Sequence, residues 1–84
     1  MASISCHVAL PFTANEEGEL VPGEPQEARS PSTAPFRARA LAATNGGAVA
    51  FSRVGDPDLG EFEDAVVHGC FGAVPEDLAA FVKP

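Results

Sequence analysis

Two groups of side chains in this sequence have the types that chemistry uses. The first is acidic. The stretch SRVGDPDLGEFED, residues 52–64, holds Asp56, Asp58, Glu61, Glu63 and Asp64, five of the twelve carboxylates in the chain. Hard oxygen donors at this density suit calcium. The spacing does not suit it. An EF-hand loop wants acids at alternating positions, a glycine at mid-loop and a closing glutamate, and no frame of this stretch supplies them. What remains is a polar turn in which Arg53 pairs with Asp64, or an acidic surface that a basic partner reads. A surface ion pair of that kind is worth about 0–1 kcal/mol.

The second group joins the two ends of the chain: Cys6-His7 and His68-Gly69-Cys70. Zinc takes thiolates and imidazoles tetrahedrally. Adjacent residues of a strand point to opposite faces, so Cys6 and His7 cannot both reach one ion without a bulge. Neither CxxC nor HxxxH occurs. The same residues would also allow a Cys–His nucleophile pair of Cys70 with His7 or His68, with Gly69 and Gly72 freeing backbone N–H donors. No catalytic signature accompanies them. The sequence therefore implies no cofactor and no metal, and points away from an enzyme. A ligand- or metal-binding protein or minimal enzyme centred on Cys70 and His68 stands as the alternative.

Size and charge narrow the partners. A chain of 84 residues makes one domain, and it buries only about 60–65 % of the surface its unfolded form exposes. A binding surface is easier to build at this size than a deep cleft. The net charge is −7, with five basic side chains and a single lysine among them. Phosphate backbones and anionic membranes are bound by Lys and Arg clusters, so neither is expected here. A protein partner is, whether a basic one or a second copy of this chain. No apolar run approaches the roughly 18 residues that span a bilayer. The segment MASISCHVALPF has no basic leader. Two cysteines make no disulfide framework, and the expected location is the cytoplasm.

The elements that position these residues follow from periodicity and punctuation. From Ile4 to Phe12 apolar residues alternate with Ser5, His7, Ala9 and Pro11, the period of a strand. Pro11 lacks an N–H, so this strand should end there or lie at an edge. Residues 13–18 read as a turn and 19–21 as a short returning strand. Residues 22–35 carry four prolines and read as a loop. Residues 33–44 are the helix candidate, with Ser32 as N-cap and Asn45-Gly46-Gly47 as a left-handed stop. Its apolar residues fall in two stripes, Phe36/Ala40/Ala43 and Ala34/Ala38/Leu41, with Arg37 and Arg39 pointing apart. Such a helix is either deeply buried or shares its outer stripe with another chain; the Ala34/Ala38/Leu41 stripe is the candidate contact.

Residues 48–54 and 61–67 read as two strands joined by GDPDLG. Pairing across six residues would put Val49, Phe51 and Arg53 on the core face with Phe62, Asp64 and Val66. Pro75 opens a short helical turn over 75–81, docked by Leu78 and Phe81. The six phenylalanines should supply much of the core. The expected fold is α+β: an antiparallel sheet of about four strands in ββαββ order, one helix on a face and the C-terminal turn. The expected function is a non-catalytic protein–protein interaction or adaptor module. Its candidate surface is Asp56, Asp58, Glu61 and Glu63, with Ala34, Ala38 and Leu41.

Overall fold

The alternation that starts at Ile4 does form a strand, and it runs past the proline. In the computed structural model, which describes residues 4–56, 58–62 and 65–78, β1 spans Ile4–Ala14. It pairs antiparallel with β4 (Gly47–Asp56), in register from Ile4–Gly55 to Phe12–Gly47. These two long strands are the centre of the sheet. On the outer side of β1 lie β2 (Leu20–Pro22) and β3 (Gln26–Ala28), both antiparallel to it. On the outer side of β4 lie β5 (Glu61–Phe62) and β6 (Val66–Gly72). Six segments thus occupy four strand positions, each edge being shared by two pieces. With the helix α1 (Ala34–Asn45) between β3 and β4, this is the expected α+β class and order.

Pro11 survives inside a central strand because the ladder is broken opposite it. β3 covers His7 to Ala9 and β2 covers Phe12 to Ala14. In the gap, the Gly23 N–H donates to the Pro11 carbonyl at 2.8 Å. Proline, which has no N–H to give, thus sits where the edge pairing is interrupted. The Pro-rich loop is accordingly a broken edge strand: two short pieces running the same way, split by residues 23–25.

Around α1 the punctuation holds, shifted by one residue. Thr33 rather than Ser32 is the N-cap, and it makes no capping bond with its side chain. Instead the Ser30 hydroxyl accepts from the Thr33 N–H at 3.2 Å. Gly46 ends the helix at φ 105°, its N–H donating to the Ala42 carbonyl.

The helix lies on the alanine face of the sheet, not on the bulky one. Ala34 and Ala38, with Leu41 and Ala42 beside them, pack on Ala9, Ala28, Ala48 and Ala50. Ala34 and Ala38 are therefore core, and the sequence-based reading of that stripe as a contact surface is reversed. Methyl groups allow helix and sheet to approach closely, and each contributes only about 0.8 kcal/mol. The larger apolar residues face the other way. Leu10, Phe12, Val49 and Phe51 form a second buried cluster, covered by Val8, Ala65, Val74 and Leu78. At roughly 1.5–3 kcal/mol for each such side chain, this face carries more of the burial energy. So both faces are core. Leu78 docks as expected, but Pro75 to Leu78 form no helix, and Phe81 lies outside the described residues. Of the phenylalanines, Phe12 and Phe51 are buried, Phe71 is half-buried, and Phe36 is 75 % exposed.

The β4–β5 turn is tighter than a six-residue loop. Gly55 stays in the strand, paired with Phe62. Asp56 caps the turn, its carboxylate accepting from the Asp58 N–H at 3.0 Å, and Gly60 takes φ 69°. The register then slips at a bulge: Ala50 pairs with Gly69, but Phe51 pairs with Val67. His68 is the extra residue. As a result Val66 shares the helix face with Ser52, not the face of Val49 and Phe51.

Candidate functional site

The bulge aims His68 at β4. On the helix face, β1 brings His7 opposite Ser52. The Ser52 hydroxyl lies 2.6 Å from His7 Nδ1 and 2.7 Å from His68 Nε2. One hydroxyl thus joins β1, β4 and β6 in a line of three polar side chains, with Ser52 only 8 % exposed. A hydroxyl has one proton to give and two lone pairs to receive with, so it can serve both imidazoles at once. The line stabilises three strands.

The four sulfur and nitrogen side chains do not converge. Cys6 pairs with Arg53 and Cys70 with Val49, on the face away from the helix. His7 and His68 meet Ser52 on the helix face. Two thiols on one face and two imidazoles on the other cannot share an ion, and Cys70 has no histidine for a base. Both thiols are free, Cys6 half-buried and Cys70 exposed. Among the described residues no three His, Cys, Asp or Glu side chains gather to hold a metal. Sequence reasoning missed the His7–Ser52–His68 line. Its signal was a lone serine on an otherwise apolar strand face; the bulge that completes it leaves no mark in periodicity.

Of the acidic group, Asp56 is engaged in the turn and Asp58 is exposed at its tip. The side chains of Glu61, Glu63 and Asp64 lie outside the described residues, and so does an Arg53–Asp64 pair. The Arg53 guanidinium stacks over the Phe51 ring at 5.5 Å. Beside it a groove of about 380 Å³ is lined by Cys6, Val8, Leu10, Glu27 and Phe51.

One exposed apolar surface lies around β6. Among the described residues β6 pairs only with β4, so its other side presents unpaired backbone groups. Val66 on the helix face is 59 % exposed, and Val67 on the opposite face 44 %. The flank of α1 adds Phe36. Pro35, Phe36, Arg39 and Phe71 enclose a recess of about 160 Å³, with the Arg39 guanidinium over the Phe71 ring at 5.6 Å. Arg37 reaches the other way and donates to Gln26 on β3 at 3.2 Å. The arginines point apart, as the helical spacing requires.

The two edges are guarded very differently. The β2–β3 edge carries Pro22, Pro25, Glu24 and Glu27, the residue types that discourage strand addition. β6 reads VVHGCFG, with no proline, lysine or carboxylate. No helix of the described residues is long and apolar enough to cross a membrane. No protein-family model, curated protein or solved structure matches this chain.

Proposed function

We propose that this chain is a non-catalytic protein-interaction module that works by strand addition at β6. The carrying observation is the unguarded outer edge of β6, with Val66 and Val67 exposed on its two faces. In strand addition the main-chain hydrogen bonds give affinity, and neighbouring recesses give specificity. The Phe36–Phe71 recess is placed for that second task. The separation of thiols from imidazoles supports the non-catalytic part of the reading. One lysine and four scattered arginines support a protein partner over nucleic acid or membrane. Two free thiols support a reducing compartment, the cytoplasm.

The test is site-specific photocrosslinking. A benzoylphenylalanine replacing Val67 is irradiated in the purified chain and in an extract of the source cells. The reading expects a discrete adduct that is suppressed by excess unmodified chain. No adduct in either sample would discard it.

A further inference from the structure

We infer that Asn45-Gly46 is a spontaneous modification site that the fold holds silent. The Asn45 carboxamide deamidates only when the last turn of α1 opens, and the product opposes closing of that turn.

The chemistry lies in the dipeptide. The chain has two asparagines, Asn15 and Asn45, and only Asn45 is followed by glycine. No side chain then shields the nitrogen that follows the asparagine. Once it gives its proton to hydroxide, that nitrogen can attack Cγ. The new N–Cγ bond closes a five-membered succinimide, the Cγ–Nδ2 bond breaks, and Nδ2 leaves as ammonia with a proton from water. A further water opens the ring at one of its two carbonyls. Opening at one gives aspartate. Opening at the other gives isoaspartate, whose main chain runs through the side chain and is one carbon longer. In sum one water is consumed and one ammonia released.

The structure ties down both reacting groups. The Gly46 N–H donates to the Ala42 carbonyl at 2.9 Å. The leaving nitrogen, Asn45 Nδ2, donates to the Leu41 carbonyl at 2.9 Å and to Thr44 Oγ1 at 3.1 Å. Deprotonating Gly46 gives up the first bond, and turning the carboxamide for attack gives up the other two. Water is not what is withheld, since Asn45 is half-buried and Gly46 is exposed. The reaction therefore passes through local opening of the helix end, and the opening free energy sets its rate.

Closing is then opposed at two points. Aspartate at position 45 has no N–H for Leu41 or Thr44, and it sets a carboxylate at the negative end of the helix dipole. Isoaspartate lengthens the main chain where there is no slack. The Gly46 carbonyl accepts from the Ala73 N–H at 3.0 Å, and a Cβ on Gly72 would already come within 2.3 Å of that oxygen. Gly47, the next residue, is buried and paired with Phe12 on one side and Gly72 on the other. Deamidation thus strikes where α1, β4 and the end of β6 join.

Ageing the purified chain in mildly alkaline buffer tests it, with and without denaturing guanidinium chloride. Each sample is digested, the deamidated fraction of the tryptic peptide 40–53 is read by mass spectrometry, and isoaspartate is identified by enzymatic methylation. Asn45 should react at least about tenfold more slowly in the folded chain than in the unfolded one. Equal rates overturn the silencing. The directly made variant Asn45→Asp should melt at a lower temperature than the parent and exchange its Asn45–Gly47 amides faster. A variant that melts with the parent overturns the effect on closing. One that does not fold at all shows that effect at its extreme, and the rate comparison, made on the parent chain, still decides the silencing.

Discussion

At the scale of single residues, the Ser52 hydroxyl makes a sharp demand on its neighbours. It has one proton to give, so it satisfies both imidazoles fully when it donates to one and accepts from the other. If His7 Nδ1 carries the proton, Ser52 donates to a bare Nε2 of His68, whose proton is then on Nδ1. If His7 Nδ1 is bare, its proton is on Nε2, and His68 donates through Nε2. Either way the two neutral rings adopt the same tautomer. Long-range proton–nitrogen correlation spectra under alkaline conditions should show His7 and His68 both protonated at Nδ1 or both at Nε2; His7 protonated at Nε2 together with His68 at Nδ1 would leave one hydroxyl proton for two bare nitrogens and exclude the shared hydroxyl. Ser52→Ala removes both bonds from a buried site, at a cost of about 1–3 kcal/mol in denaturant unfolding. His68→Ala on the exposed side should cost about 0.5–1.5 kcal/mol. In the double variant the two losses should not add, since each deletes the same bond.

At the scale of elements, the start of β4 lies close against the residue that follows β6. A side chain at Gly47 would put its Cβ 1.6 Å from the Ala73 carbonyl oxygen. The Ala73 N–H donates to the Gly46 carbonyl at 3.0 Å, so that backbone cannot retreat without losing its bond. Gly47→Ala should cost more than about 4 kcal/mol, in the exceptional range for one substitution. Gly18, at φ 84° with open space around it, should cost only about 1–2 kcal/mol as alanine. Thermal melts that rank the two equally would deny the crossing. The elements were legible where a local rule decides. Gly46 stops the helix, and alternation makes β1. They were illegible where a distant partner decides. Pro11 reads as a strand end until the broken edge beside it is known. The helix has apolar residues on two sides, and only the alanines on the sheet below, Ala48 and Ala50, choose which side goes in.

At the scale of the whole molecule, charge is segregated. Five glutamates sit along or beside the β2–β3 edge, the β4–β5 turn is acidic, and α1 carries only Arg37 and Arg39. Salt therefore discriminates between partners. Screening weakens repulsion between two acidic copies, with a Debye length of about 10 Å at 0.1 M. Binding to a second copy would tighten severalfold as sodium chloride rises from about 10 to 300 mM, a range in which the Debye length shrinks from roughly 30 Å to a few ångströms. Binding that weakens over the same range would mean a partner of opposite charge. The acidity was plain in the sequence, and so was the prospect of an edge. Which edge stays open was not. That depends on β3 forming within a proline-rich stretch, and on a bulge that turns His68 inward.

The split in the β2–β3 edge has a consequence for engineering. Each half is tethered to β1 by its own hydrogen bonds, the first of them held as far as Gly23, and residues 24–25 belong to neither strand. Extra residues placed between Gly23 and Glu24 would lengthen a connection whose ends are already fixed. Each doubling of such a connection costs only about 0.6 kcal/mol in closure entropy. A ten-residue Gly/Ser insert there should leave the melting temperature nearly unchanged, while the same insert between Gly46 and Gly47 should abolish cooperative unfolding. The broken edge is thus the place to carry a tag or a reporter while β6 remains open on the opposite side of the sheet.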